Sequence, residues 1–275
     1  MQSLLKQYHQ HDPNAPSISA HDLVVRYNGT MALENVTFTV NAGERVAVVG
    51  PNGAGKSTLF KVIAGVLQPS AGRITLYGGE PERHICVAFV PQRTQVDLQF
   101  PANVRDVVSM GRTGRLGLLR WPRRHDRQLV EECMELVNVS DLAERRIGEL
   151  SGGQQQRVFI ARALAQEAEL MLMDEPLNGL DVNSQEEIYA ILDELRSRGV
   201  TVLVATHDLE QAARCYDRVM LLNRRLLGFG APRDVFTADL LGQAYGDRLR
   251  ISEIPDGALV WADTWCGGGH EQEEP

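Results

Sequence analysis

Long hydrophobic runs are missing from this chain: no apolar stretch approaches the roughly 20 residues that a membrane-spanning helix needs, so no span is expected. The N-terminal stretch from Met1 to Pro13 has no apolar core of the signal-peptide kind, and a secretory route is not expected either. Cysteine is scarce and scattered. The four (Cys86, Cys133, Cys215, Cys266) show no C-x-x-C spacing, which suits reduced thiols in the cytosol. The sequons at Asn28, Asn35 and Asn138 are then chance matches. Basic residues are outnumbered, 28 against 36 acidic ones, and the net charge of −8 argues against nucleic acid as a main partner. What is there is ordinary globular material, 43% hydrophobic and 23% charged over 275 residues. That is enough for one large domain, or one domain with a subdomain and tails.

The chain is organised around Gly50 to Thr58, GPNGAGKST, which follows the apolar run Val46 to Val49 and leads into Leu59-Phe60-Lys61-Val62-Ile63-Ala64. Strand, glycine-rich turn and helix fit the pattern G-x-x-x-x-G-K-[ST] through Gly50, Gly55, Lys56 and Ser57. Gly53 and Gly55 let the backbone curl its N–H groups inward onto an anion, aided by the positive end of the helix. Lys56 should reach the β- and γ-phosphates of a nucleotide, and the Ser57 hydroxyl should ligate Mg²⁺.

Ahead of this turn, residues 1–16 read as a polar, flexible tail, in which His9 and His11 are solvated. Strands follow at Ile18 to Tyr27 and Val36 to Val40, with a turn at Asn28-Gly29. Tyr27 by itself is a packing residue or a platform for a purine ring. Beyond the first helix, Arg73 to Tyr77 and Ile85 to Val90 read as strands, and Gln92 sits just past the second, where ligands bind in α/β sheets.

Residues 93–149 turn helical, with Val104 to Met110 and Asp126 to Asn138 as the clear segments. Between and around them Arg112, Arg115, Arg120, Arg123, Arg124 and Arg127 crowd a loop with Trp121 and Pro122. It reads as a solvated, ion-paired loop, or as a surface near lipid headgroups or a partner's acidic loop. Leu150-Ser151-Gly152-Gly153-Gln154 then opens a helix with Ser151 as N-cap, a second anion-binding turn. The buried strand Leu170 to Met173 ends in Asp174-Glu175, adjacent carboxylates that are costly to bury unless they act on a cation and a water. Asp174 suits the Mg²⁺-organising carboxylate and Glu175 a general base. A turn through Asp181 precedes a helix from Ser184 to Arg198. Val200 to Thr206 is a strand capped by His207, a structural residue or a γ-phosphate sensor. Asp208 begins a helix to Cys215. Arg218 to Asn223 reads as the last clear strand, residues 230–251 as helical, and 252–275 as a weakly structured end. Cys266 and His270 lie in that flexible acidic end.

Taken together these motifs resemble the ATP-binding subunit of ABC transporters, over roughly residues 18–250. LSGGQ ahead of an apolar strand ending in Asp-Glu is the most specific feature. The resemblance implies an α/β fold: a P-loop core with a mostly parallel sheet, an N-terminal antiparallel β subdomain and an inserted α-helical subdomain. It places an ATP-binding domain at 17–251, its helical part at 93–165, and tails at 1–16 and 252–275. It implies ATP binding by Tyr27 (adenine stacking), Gly50, Pro51, Asn52, Gly53, Ala54, Gly55, Lys56, Ser57, Thr58 and Gln92. Glu175, His207 and Lys56 are the expected catalytic residues, and Ser57, Gln92 and Asp174 the expected ligands of the Mg²⁺ of MgATP. Ser151, Gly152, Gly153, Gln154 and Asp181 are expected to face the ATP of a second copy, since such subunits pair head to tail.

Further partners implied are membrane permease subunits and, indirectly, a substrate-binding protein, with no nucleic acid. The place implied is the cytoplasmic side of the membrane. Pro91-Gln92-Arg93, Val96-Asp97, Phe100-Pro101, Met110-Gly111-Arg112, Ile147-Gly148-Glu149 and Thr206-His207-Asp208-Leu209 look like importers of manganese, zinc or iron, with manganese first. Other readings are a siderophore, haem or cobalamin importer, and a soluble ABC-type ATPase of DNA repair or translation. The soluble proteins commonly carry a long coiled-coil insert or two ATP-binding units, whereas this chain has one P-loop, one LSGGQ and a short insert.

Overall fold

The computed structural model describes residues 12, 15–27, 29–81, 86–92, 101–116, 121–246, 249–253 and 259–263. His9, His11, Asn28, Arg93, Arg120, Cys266 and His270 lie outside them. In chain order the elements begin with β1 (Ile18–Tyr27), β2 (Thr30–Val40), β3 (Arg45–Val49), α1 (Lys56–Ile63), β4 (Ala71–Leu76) and β5 (Val87–Val90). A helical group follows, α2 (Val104–Met110), α3 (Thr113–Leu116), α4 (Arg124–Leu136) and α5 (Gly152–Ala165). The chain then alternates β6 (Leu170–Asp174), α6 (Val182–Ser197), β7 (Thr201–Thr206), α7 (Leu209–Cys215), β8 (Arg218–Asn223) and β9 (Arg225–Gly230). It ends in α8 (Pro232–Val235), α9 (Ala238–Tyr245), β10 (Leu249–Glu253) and β11 (Leu259–Asp263).

The runs Val46–Val49, Leu170–Met173 and Val202–Ala205 are apolar throughout rather than alternating, as strands covered on both faces must be. They lie in a six-stranded sheet of order β5-β6-β7-β3-β8-β9, parallel except for the edge strand β9. One face, through Val46, Val48, Leu170, Leu172 and Leu203, packs on Leu59, Phe60 and Ile63 of α1 and on the antiparallel sheet β2-β1-β4. The opposite face, through Ala47, Val49, Met171, Met173 and Val204, packs on the helices, among them Val104, Val108, Val158, Ile188 and Leu192. Burying each such side chain contributes roughly 1.5–3 kcal/mol. The parallel register pairs Val49 with Thr206 and Asp174 with Ala205, so the loops after β3, β6 and β7 emerge together at one edge.

The structure departs from the sequence reading in three places. The second strand of the hairpin begins at Thr30, well before Val36. Arg218–Asn223 is not the last strand: Arg224 takes a left-handed turn (φ 59°) and β9 runs back antiparallel to β8. Two glycines disguise β9 as a loop, yet Gly228 leaves room for Val235 and Leu240, which a Cβ would meet at 3.2 Å. Finally, the stretch expected to be helical to about 251 and weakly structured beyond contains two short helices and then the antiparallel pair β10 and β11.

The helical group is pinned at one point. Gly111 at the end of α2 lies against α5 so closely that a Cβ would stand 2.2 Å from the Arg162 carbonyl oxygen. The next residue, Arg112, is buried; its Nε and Nη2 donate to Asp126 Oδ1 at 3.0 and 2.9 Å. Its Nη1 donates to the Ala165 carbonyl at 2.9 Å and to Glu167 Oε2 at 2.7 Å. Arg115 shares Glu167 Oε2 at 3.0 Å. One guanidinium thus ties α2, α4 and the end of α5. Burial pushes the Asp126 carboxyl up, but the Arg123 N–H and the Arg112 guanidinium outweigh it and hold the carboxyl below its usual range.

Arg112→Met leaves Asp126 buried without its cation and Glu167 with Arg115 alone, and should destabilise the fold by about 3–5 kcal/mol at neutral pH, read from urea unfolding. A carboxyl held low in the folded state contributes stability above its unfolded pKa and loses it as pH falls through the folded value. The wild-type advantage over Arg112→Met should therefore shrink below about pH 4. A constant difference from neutral to acid pH would contradict this assignment.

Candidate functional site

The turn between β3 and α1 is shaped by close approach. Gly50 has φ 155°, and a Cβ there would stand 2.0 Å from the Leu222 carbonyl oxygen of β8. Gly55 has φ 100°, and a Cβ would stand 2.7 Å from the Ala32 carbonyl oxygen and from a Leu33 methyl group of β2. Only glycine fits at either point without moving backbone. Gly55 is also the N-cap of α1, which aims the helix's first N–H groups at the turn. Asn52, Gly53, Ala54, Gly55, Lys56, Ser57 and Thr58 line a cavity of about 240 Å³ together with Ala32, Gln92, Asp174 and Glu175.

Lys56 is 7% exposed, and its Nζ donates to the carbonyl oxygens of Gly50 at 2.6 Å and Pro51 at 3.2 Å. Desolvation pulls its pKa down, against the pull of the Glu175 and Asp174 carboxylates in the other direction. Ser57 Oγ donates to Asp174 Oδ2 at 2.8 Å across the cavity floor. Burial raises the Asp174 pKa and the neighbouring Glu175 charge adds to that, while Ser57 and Lys56 oppose it. A hydroxyl and a buried carboxylate this close make a hard-oxygen pair of the kind Mg²⁺ takes.

Glu175 stands in a left-handed backbone conformation, φ 47°, which a non-glycine residue adopts at a cost of order 1–3 kcal/mol. Its N–H donates to the Ala205 carbonyl at 2.9 Å, so β7 holds the strained residue in place. Oε2 accepts from Gln92 Nε2 and from Asn178 Nδ2, both at 3.1 Å, and Oε1 lies 3.6 Å from His207 Nδ1. His207, Asn178 and Glu175 also border a second cavity of about 210 Å³ with Asp208, Gln185 and Gln211. Gln92, Asp174, Glu175 and His207 are therefore gathered beside the glycine-rich turn. Tyr27, half-exposed at the end of β1, lines neither cavity. Asn178, which holds Glu175, was passed over in the sequence as an ordinary turn residue; an amide next to Gly179 carries no pattern of its own.

The second glycine turn is elsewhere. Ser151 caps α5 in a capping box: Gln154 N donates to Ser151 Oγ at 3.3 Å, and Ser151 N to Gln154 Oε1 at 3.0 Å. Ser151, Gly152, Gly153 and Gln154 line neither cavity. Asp181 is the N-cap of α6, accepting from Ser184 N at 3.0 Å and Ser184 Oγ at 2.8 Å, and these bonds lower its pKa. Of the two cavities, one is lined by the first glycine turn and neither by the second.

A family described as "ABC transporter" matches residues 33–178. The chain is 46% identical to the manganese transport system ATP-binding protein MntA of Synechocystis sp., over 86% of this chain and 92% of that one. It is 42% identical to the zinc transport system ATP-binding protein TroB of Treponema pallidum, over 88% and 92%. Among solved structures it is similar to CbiO1 of Clostridium perfringens, part of the ABC transporter complex CbiONQ. That likeness has a TM-score of 0.72 and 29% identity, and covers 83% of this chain and 94% of that one.

Ser184 is a residue that the sequence reading missed, and it touches the second turn directly. A Cβ on Gly153 would stand 2.3 Å from Ser184 Oγ and 2.6 Å from its Cβ. The serine that orders Asp181 therefore fills the space beside Gly153. Gly153→Ala should lower stability by about 1–3 kcal/mol through overpacking. Ser184→Gly in the same chain should recover part of that loss, giving a favourable coupling in a thermal-melt cycle. Simple additivity of the two losses would refute the contact.

Proposed function

Since the chain belongs to the ABC transporter family as an ATP-hydrolysing subunit, we propose that it powers uptake of a divalent metal ion, manganese first and zinc or iron next. The observation that carries the cargo is near full-length similarity to subunits named for manganese and for zinc transport. ABC ATPase subunits work as pairs with membrane permeases. No helix among the described residues is long and apolar enough to cross a membrane. The permease would therefore hold this subunit at the cytoplasmic face, and a substrate-binding protein would deliver the ion from the far side.

In this reading ATP is the nucleotide and residues 17–251, with the helical part at 93–165, are the working unit. The backbone N–H groups of residues 50–58 cradle the phosphates. Lys56 turns from the Gly50 and Pro51 carbonyls to the β- and γ-phosphates. Ser57 and Asp174, with Gln92, would hold Mg²⁺, which when bound neutralises phosphate charge. Glu175 takes a proton from the attacking water, and His207 steadies the γ-phosphate. Tyr27 stacks on the adenine from the end of β1. Ser151, Gly152, Gly153, Gln154 and Asp181 close over the ATP of a second copy. Their absence from this chain's own nucleotide hollow supports that division.

Glu175→Gln should bind ATP, hydrolyse it about 10²–10⁴-fold more slowly and accumulate as an ATP-bound dimer in size-exclusion chromatography. In a deletion strain the wild-type gene should restore manganese uptake and the Gln variant should not. Restoration of siderophore uptake instead of metal uptake would overturn the cargo.

Pairing is tested separately. Mixing Lys56→Ala with Ser151→Arg subunits should leave at most one intact composite site per heterodimer. Undiminished ATPase activity of Ser151→Arg alone would mean that nucleotide contacts lie within one chain.

A further inference from the structure

The approach to α4 has no task in nucleotide binding, and its charges run against local electrostatics. Arg123 is the N-cap of α4, Arg124 opens the helix and Arg127 stands one turn in; all are exposed. A helix N-terminus carries partial positive charge and favours acids. The acid of this first turn, Asp126, is used internally: Oδ1 accepts from Arg112, and Oδ2 accepts from the Arg123 N–H at 2.9 Å. Among the described residues no carboxylate lies within ion-pair distance of Arg123, Arg124 or Arg127. Immediately before them Trp121 is 90% exposed, the most exposed large hydrophobic side chain among the described residues. Arg127 Nη2 donates to the Pro122 carbonyl in a long contact of 3.5 Å, one residue along from Trp121.

We infer that Trp121, Arg123, Arg124 and Arg127 form a docking patch for anionic lipid headgroups. The chemistry selects that occupant. Guanidinium groups match phosphate oxygens in a fixed fork, and an indole prefers the depth of the headgroups, where one edge is wet and its ring is not. The chain as a whole carries −8, so an anionic membrane repels it at long range. A contact of its own with that surface therefore needs a local concentration of arginines without acids beside them. The same negative balance disfavours nucleic acid. Asp126 serves this arrangement by staying with Arg112, which leaves the outer arginines without an acid of their own. This goes beyond transport by a permease-held ATPase, because the subunit brings its own contact with the bilayer.

The test is flotation of the purified full-length chain with vesicles of phosphatidylcholine alone, and of phosphatidylcholine mixed with phosphatidylglycerol. The protein should float with the mixed vesicles and not with phosphatidylcholine, and should be released as salt rises. Replacing all of Arg123, Arg124 and Arg127 with Gln should weaken binding about a hundredfold, at about fivefold per charge. Trp121→Ala should weaken it further and reduce quenching of tryptophan emission by brominated acyl chains.

Equal flotation with both vesicles, no flotation with either, or an undisturbed triple variant would overturn the inference. So would a triple variant that floats normally but separates from the permease in detergent, because the patch would then read an acidic protein loop. ATP binding by the triple variant should be unchanged. Lys56→Ala should lose ATP yet still float, so failure of the lipid contact and failure of the ATPase reading are told apart.

Discussion

A lysine ammonium 7% exposed at the edge of a sheet has to find oxygen, and Lys56 finds it in the carbonyls of its own turn. Those carbonyls are neutral. Among the described residues the full charges come from Glu175 and Asp174, which work against a desolvation that pulls the lysine's pKa down. A phosphate chain would offer Lys56 better partners, and much of the surrounding structure follows from keeping that place open. Gly50 must press against Leu222 and Gly55 against Ala32, because any side chain there would push the turn away from the sheet. The register of β3, β6 and β7 then brings Asp174 and Glu175 to the same edge.

Much of this was legible in the sequence wherever chemistry fixes both residue type and spacing. GPNGAGKST, LSGGQ and the Asp174-Glu175 pair are of that kind. The apolar strands were legible because burial on both faces removes the alternation that a half-exposed strand would show. β9 was not legible, because Gly228 and Gly230 read as a loop until Val235 and Leu240 are seen filling the space. Asn178 and Ser184 were missed for a related reason. Each matters through a contact with one particular partner, Glu175 or Gly153, and no periodicity announces such contacts. The arginine-rich loop divides in the same way: Arg112 and Arg115 are enclosed by carboxylates, while Arg123, Arg124 and Arg127 remain outside.

Glu175 is where the separate parts meet. Its carboxylate is shared among Gln92 at the entrance to the helical insert, Asn178 in the turn towards Asp181, and His207 after β7. A carboxylate whose Oε2 accepts two amide donors has less capacity left for a water proton. In the proposed cycle Oε1 remains open to a water proton, and release by Gln92 or Asn178 would free Oε2 as well. Gln92 precedes the insert in the chain, and Asn178 belongs to the turn whose far end, Asp181, is bonded by Ser184, which packs against Gly153. Closing a second copy over the nucleotide would load Gly153 and Asp181 directly, and through that turn would shift Asn178. The backbone strain at Glu175 sharpens this dependence, because a left-handed residue held by β7 cannot drift to compensate. Full use of the carboxylate would then depend on the position of the insert and on the arrival of the partner. That is the order of events a transporter needs if ATP is not to be spent while the permease is idle.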